Sequence, residues 1–239
     1  MIRGFYTALS GILATVTRQS VVADNIANVN TPGFKGSRSA QSDFGFMLTS
    51  SLDGRLVGPL GTATVPVGLK IDRLQGPLET TTLVSDLAIE GDGLFAIATS
   101  NGVAYTRGGD FQIDVNGTLT TQRGEPVLDT TGKAIHVPDR ATFSVNPDGV
   151  VAGTGQRIAL VAFPASGATR LGDNLYALAG PIAPATGKIR QGFLERSNVD
   201  LATSMTELMV LQRSFSLSSR ALSIQEQTIG DANDVGRVR

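Results

Sequence analysis

The sequence predicts an α+β fold in which a long helix at each end of the chain brackets a β-rich middle. Three observations carry this. Apolar residues recur in steps of three and four through residues 1 to 30 and again through residues 198 to 231. Between these stretches, short alternating apolar runs end repeatedly on Asn-Gly or Asn-Pro-Asp-Gly turn signals. A chain of 239 residues, 41% of them hydrophobic, is long enough to bury a core and too apolar to stay disordered.

In the first helix, Ile2, Phe5, Leu9, Ile12, Val16, Gln19, Ala23 and Ile26 form a heptad seam with one polar intrusion at Gln19. Four heptads make a helix of about 40 Å, longer than a small globular domain needs. Asn28 and Asn30 tolerate left-handed geometry, Pro32 cannot continue a helix, and Gly33 permits any turn, so the helix stops here. Residues 31 to 63 are rich in Ser, Gly and Leu with little period, and are expected to form a loop or arm.

The middle, residues 64 to 197, reads as a β-rich domain. Phe95 and Ile97 alternate before Asn101-Gly102, and Phe143 and Val145 precede Asn146-Pro147-Asp148-Gly149. Phe111, Ile113 and Val115 alternate before Asn116-Gly117, and here the register can be argued. A two-residue loop would put Leu119 opposite Asp114, on the wrong face. A three-residue loop with Gly117 left-handed puts Leu119 opposite Ile113, and is preferred.

The second helix carries Leu201, Met205, Leu208, Gln212, Phe215, Ser219, Leu222, Glu226 and Ile229, widened by Leu211 and Ser218. Ser197 or Asn198 is placed to cap it, Asp200 suits the positive end of its dipole, and Gly230 should end it. A helix with one apolar stripe is marginal alone in water. The seams therefore either meet each other as a coiled coil, leaving Leu13, Val22, Val210 and Leu217 for further copies, or lie on the β domain as ordinary core helices. Pattern alone leaves both open.

Composition excludes several function classes. Twenty Lys and Arg against 21 Asp and Glu leave a net charge of −1, without the basic excess of a general nucleic-acid binder. With no Cys there is no disulfide, thiolate or iron–sulfur chemistry, and the single histidine, His136, cannot build a multi-histidine metal site. It reads as a surface residue at a strand end. No apolar run reaches the length of a membrane span. Arg3, Gly4 to Val16 and Val21-Val22-Ala23 outline a signal peptide, but Thr7, Ser10 and Thr15 break its apolar region and the helical stripe runs through the cut site. There is no Gly-x-x-x-x-Gly-Lys-Ser/Thr and no Gly-x-Ser-x-Gly. Gly91-Asp92-Gly93 lacks a third glycine, and Asp114-Val115-Asn116-Gly117 lacks the spacing and terminal glutamate of a calcium loop. Asp86, Glu90 and Asp92 are the densest carboxylate cluster but have no aromatic platform beside them, so they read as turn residues. No catalytic residue, cofactor or metal is expected.

Three stretches resemble one family. Ala23-Asp24-Asn25-Ile26-Ala27-Asn28-Val29-Asn30-Thr31-Pro32-Gly33-Phe34-Lys35 is similar to the N-terminal signature of bacterial flagellar rod and hook proteins. Leu194-Glu195-Arg196-Ser197-Asn198-Val199-Asp200, with Leu208 and Gln212-Arg213-Ser214-Phe215, resembles the matching C-terminal signature. Asp86 to Phe95, Tyr105 to Phe111 and Asp114 to Leu119 resemble the family's middle. The resemblance takes in proximal- and distal-rod subunits alike, F-type and G-type.

The resemblance implies a non-enzymatic subunit of the flagellar basal-body rod, with the terminal helices as inner layer and the β domain as outer layer of a hollow helical tube across the periplasm. Its implied partners are copies of itself, other rod or hook subunits and the flagellar export apparatus, with no nucleic acid, no membrane insertion and no cleaved signal peptide. Phe5, Leu9, Ile12, Val16, Ile26, Leu201, Leu208, Phe215 and Leu222 are the implied assembly seam. Asn25, Asn28, Thr31, Pro32, Gly33 and Phe34 are the implied junction turn between helix and β domain. The competing functions are a monomeric β-rich periplasmic or cell-wall binding module, and a hydrolase built on Asp86, Glu90 and Asp92.

Overall fold

Two terminal helices and a β-ribbon form one unit of the computed structural model, and a β body forms the other. The structure describes residues 2–43, 64–140, 142–164, 167–181 and 183–237. The first unit comprises Met1–Ala27, Ser37–Asp72 and Asp200–Arg239. Its helix α1 spans Ile2–Ala27, 26 residues or about 39 Å. Asn28 ends it as expected: the Thr31 amide donates to the Asn28 carbonyl at 3.1 Å, and Gly33 takes a φ of +66°.

Helix α2 spans Leu201–Arg237. Its cap differs from expectation. Asp200, not Ser197 or Asn198, accepts from the amides of Ala202 at 2.9 Å and Thr203 at 3.2 Å, and from the Thr203 hydroxyl at 3.0 Å. The Thr203 amide and hydroxyl and the Ala202 amide hold the Asp200 carboxyl below the ordinary aspartate range. The helix also runs through Gly230, where a stop was expected. A glycine inside a helix weakens it by about 1 kcal/mol but does not break it.

Residues 31 to 63 are not a plain loop. β1 (Ser37–Asp43) pairs antiparallel with β2 (Thr64–Ile71), from Ser37 opposite Ile71 to Asp43 opposite Thr64, with a bulge at Ala40/Gln41. The composition of β1, Ser-Arg-Ser-Ala-Gln-Ser-Asp, has no apolar alternation to betray a strand. β2 consequently belongs with the helices, not with the β domain in which the sequence placed it. The expected arm between these strands, residues 44 to 63, lies outside the described residues.

α1 packs against α2 and against both strands of the ribbon. With neighbours on more than one side, its burial does not follow a single seam. Ala14 and Val22 are buried, whereas Leu9 and Val16 are exposed. On α2 the covered line is Ser204, Leu208, Leu211, Phe215, Ser218, Leu222 and Gln225, again in steps of four and three. It takes Leu211 in place of Gln212 and Ser204 in place of Met205, which puts the amide at 212 in water.

The second unit comprises Asn28–Gly36 and Arg73–Val199. Its strands are β3 (Leu78–Thr80), β4 (Leu87–Glu90), β5 (Leu94–Thr99), β6 (Gly102–Thr106), β7 (Gln112–Ile113), β8 (Leu119–Thr120), β9 (Leu160–Val161), β10 (Ala168–Gly172), β11 (Leu175–Leu178), β12 (Lys188–Gln191) and β13 (Phe193–Glu195). The largest sheet has the order β10-β11-β6-β5-β9; β12 pairs with β4, β13 with β3 and β7 with β8. Ile113 stands opposite Leu119, and Gly117, at φ +74°, donates to the Asp114 carbonyl at 2.9 Å, so the preferred three-residue loop is the one found. In the β5–β6 hairpin Thr99 faces Gly102, so the loop is Ser100-Asn101 and Gly102 joins the strand. Leu94, Phe95, Ala96 and Ile97 are all buried, because β5 is covered on both faces. The core gathers Leu87, Ile89, Phe95, Phe111, Leu119, Val127, Ile135 and Ile158, with Phe111 edge-on to Phe95 at 5.1 Å.

Candidate functional site

Three charged residues, one from each of the three resembling stretches, meet inside the second unit. The turn after α1 delivers Lys35, the strand β6 exit delivers Arg107, and the end of β13 delivers Glu195. One Glu195 oxygen accepts from Lys35 Nζ at 2.6 Å and from the Gly76 amide at 2.9 Å; the other accepts from Arg107 Nε at 2.6 Å. All three residues are at most 4% exposed. Two cations face one carboxylate, and backbone carbonyls take the remaining donors. Arg107 reaches Gly93 O at 2.5 Å, Ile89 O at 2.9 Å and Gly91 O at 2.7 Å, and Lys35 Nζ reaches Leu74 O at 2.7 Å. Removing Glu195 would leave two buried cations without a counter-charge, whereas removing either cation leaves the other paired with Glu195.

The junction residues arrange the backbone around this cluster. Gly33 donates to the Glu195 carbonyl at 2.6 Å. A Cβ on Gly33 would lie 2.3 Å from the Arg107 carbonyl carbon, so a side chain is barred by space as well as by φ. Gly36 N donates to Asn198 Oδ1 at 2.8 Å, and Asn198 N donates to the Phe34 carbonyl at 3.3 Å. Phe34 is buried beneath the Arg170 guanidinium, 4.4 Å from its ring centre, and Arg170 also donates to the Lys35 carbonyl. The Pro32 carbonyl accepts from Asn174 Nδ2 at 2.8 Å, and the Thr31 hydroxyl meets Asn28 Oδ1 at 3.2 Å. Asn25 has a different task. On the last turn of α1 it exchanges two bonds of 2.8 Å with the backbone N and O of Ser37, the first residue of β1.

The residues read as an assembly seam are divided. Leu208, Phe215 and Leu222 on α2, and Ile12 and Ile26 on α1, are half-buried in the first unit; Leu9, Val16 and Leu201 are exposed, and the side chain of Phe5 is outside the described residues. Val22, expected as an uncovered flank, is buried. The other three flanks are open to solvent, with Leu13 58%, Val210 59% and Leu217 67% exposed, and Met209 and Ile224 extend the open face of α2. Arg18 and Glu207 bridge the two helices at 2.5 Å.

The carboxylate cluster does not converge on a cleft. Glu90 pairs with Arg190 at 2.7 Å, Asp92 accepts from the Phe163 amide at 3.4 Å, and Asp86 is buried at a bridge to Asp110. Burial pushes the Asp110 carboxyl up, its own amide pulls it down, and the Asp86 charge adds to the rise. His136 is exposed at a bridge to Thr118. Among the described residues no group of three or more His, Asp or Glu is placed to hold a metal, and no helix is long and apolar enough to cross a membrane.

Lys35, Arg107 and Glu195 lie inside the stretches that carry the resemblance, yet sequence reasoning gave them no part. Each of these stretches also carries other charged residues, Asp24, Asp110, Arg196 and Asp200, so charge alone did not single the three out.

Those same segments match known families. Residues 5–35 match the family described as flagella basal body rod protein, residues 88–153 the flagellar hook protein FlgE/F/G D1 domain, and residues 190–235 the flagellar basal body rod FlgEFG protein C-terminal family. The flagellar basal-body rod protein FlgG of Bacillus subtilis (strain 168) is 36% identical, over 99% of this chain and all of its own length. The chain belongs to the flagellar basal-body rod protein family. FlgG of Borreliella burgdorferi is 33% identical over 99% of the chain and 100% of its own, and FlgF of Escherichia coli (strain K12) is 30% identical over 98% of each. Rod proteins are structural components of the flagellar basal body, not enzymes. Each of the three matched regions contributes one member of the buried ion cluster.

Proposed function

We propose that this rod protein assembles helically with copies of itself and with other rod or hook subunits, through α1 and α2, into the axial tube that transmits torque and houses the export channel. The observation that carries this reading is the open apolar face of the helices. Leu13 on α1, with Val210 and Leu217 on α2, remains in water after the two helices have packed together. On α2, Val210, Leu217 and Ile224 recur every seven residues and so share one exposed face, and an exposed apolar face marks an interaction surface. A head-to-tail contact that does not close on itself yields a filament. In the tube, α1 and α2 pair as a coiled coil and the β body faces outward.

The tube crosses the periplasm, and the chain reaches it through the flagellar export apparatus with no signal peptide removed. The helical course of α1 through Val21, Val22 and Ala23, with Val22 buried, supports the last point. Electron microscopy of basal bodies carrying a tagged copy tests the proposal. Density for the tag within the rod is the expected result. A subunit found only as a soluble monomer would favour the binding-module reading.

A further inference from the structure

The segment between α1 and β1 is held to the second unit by polar groups at every residue from 32 to 36, with Phe34 its one buried apolar side chain. From Pro32 to Gly36, every residue makes at least one hydrogen bond to a distant part of the second unit. Pro32 O accepts from Asn174, Gly33 N donates to Glu195 O, Phe34 O accepts from Asn198 N, Lys35 bonds Glu195, Leu74 and Arg170, and Gly36 N donates to Asn198 Oδ1. The single large apolar side chain here, Phe34, is capped by Arg170 and stands outside the core cluster. Arg107, by contrast, is tied by three carbonyls to β4 and the loop that follows it, beside that core. The two cations on Glu195 are therefore not equivalent. One belongs to the core side and the other to the linking segment.

We propose that residues 32–36 form a strap that opens as one unit, separately from the apolar core, with the Glu195 carboxylate as its latch. Segments with little buried apolar surface and a network of interdependent hydrogen bonds are the ones that open below the global unfolding limit. With the charge of Glu195 removed, both cations lose their counter-charge; Arg107 keeps three carbonyls beside the core, whereas Lys35 is carried on a segment that has no part in the core cluster. The strap lies in the chain between α1 and β1, so its release frees that segment and leaves the β body packed.

Amide hydrogen exchange on the full chain carrying Glu195→Gln tests this. The Gly33 and Gly36 amides bond the Glu195 carbonyl and Asn198, not the substituted carboxylate, so they report opening and not the loss of their own acceptor. Their exchange is expected to rise on the order of tenfold, with faster tryptic cleavage after Lys35. The Ala96 and Ala98 amides of β5, bonded to Ala159 O and Pro126 O, are expected to rise clearly less than these two. Unchanged exchange at Gly33 and Gly36 would overturn the proposal. So would an equal rise at Ala96 and Ala98, which would make the latch a part of global stability. If Glu195→Gln does not fold, Asn198→Ala decides in its place, read at Gly33 alone. Faster exchange there with β5 protected supports the strap, and any other pattern overturns it.

Discussion

Glu195 and Arg107 meet in a buried 2.6 Å ion pair, although one closes the last strand of the β body and the other leaves β6. The pair joins a region near the C-terminal helix to the middle of the chain, and Lys35 extends it to the N-terminal junction. The stretches that identify the family are thus the ones that must find each other in space.

Arg107→Met should lower the free energy of unfolding by about 3–5 kcal/mol, because it takes one of the two cations from Glu195 and deprives three buried carbonyls of their donor. Urea titration reads this directly. A loss below about 1 kcal/mol would mean that the pair behaves like a surface ion pair.

Two glycine substitutions should have opposite signs. Gly33→Ala places a Cβ against the Arg107 carbonyl at a positive φ and should destabilise by at least about 2 kcal/mol. Gly11→Ala lies inside α1 with nothing within 4 Å, and should stabilise by up to about 1 kcal/mol. Thermal melts of the two variants, compared with the parent, check both the direction and the contrast.

The α+β class, a long helix at each end and the β7–β8 register were legible, because each rests on local periodicity or on a turn with a single permitted geometry. The ribbon was not. β1 is polar but for Ala40 and is held by Asn25 and by its partner strand, neither of which leaves a pattern in residues 37 to 43. The helix faces were half legible. A heptad count finds that a stripe exists, but Leu211 and Gln212 are one residue apart, and only the position of the neighbours decides which is covered. The ion cluster was illegible for a related reason: a buried Lys35 and an exposed Lys70 look alike until distant segments are brought together.

The carboxyl of Asp110 gives a pH signature. Its folded value lies above the ordinary aspartate value, so the native state holds its proton more tightly than the unfolded chain does. The group therefore favours the folded state at pH below its ordinary value, and that contribution is lost as pH rises through the folded value. Asp110→Asn removes this dependence. The variant should gain stability relative to the parent between pH 4 and pH 7, as measured by urea unfolding at both values. A parent-minus-variant difference that does not move with pH contradicts the assignment.

Two leucines on α2 separate folding from assembly. Leu211 is buried in the helix unit, so Leu211→Asp should disrupt the pairing of α1 with α2 and reduce helicity by circular dichroism. Leu217 is open to solvent, so Leu217→Asp should leave helicity intact and abolish incorporation into the rod. Normal incorporation of Leu217→Asp would remove this face from the assembly surface.

Sedimentation velocity of the purified full-length chain over a hundredfold concentration range tests the central claim most directly. The open apolar faces of α1 and α2 predict a sedimentation coefficient that climbs with concentration, and a Leu217→Asp variant that stays monomeric throughout. A parent chain that sediments as a constant monomer at every concentration would contradict the account.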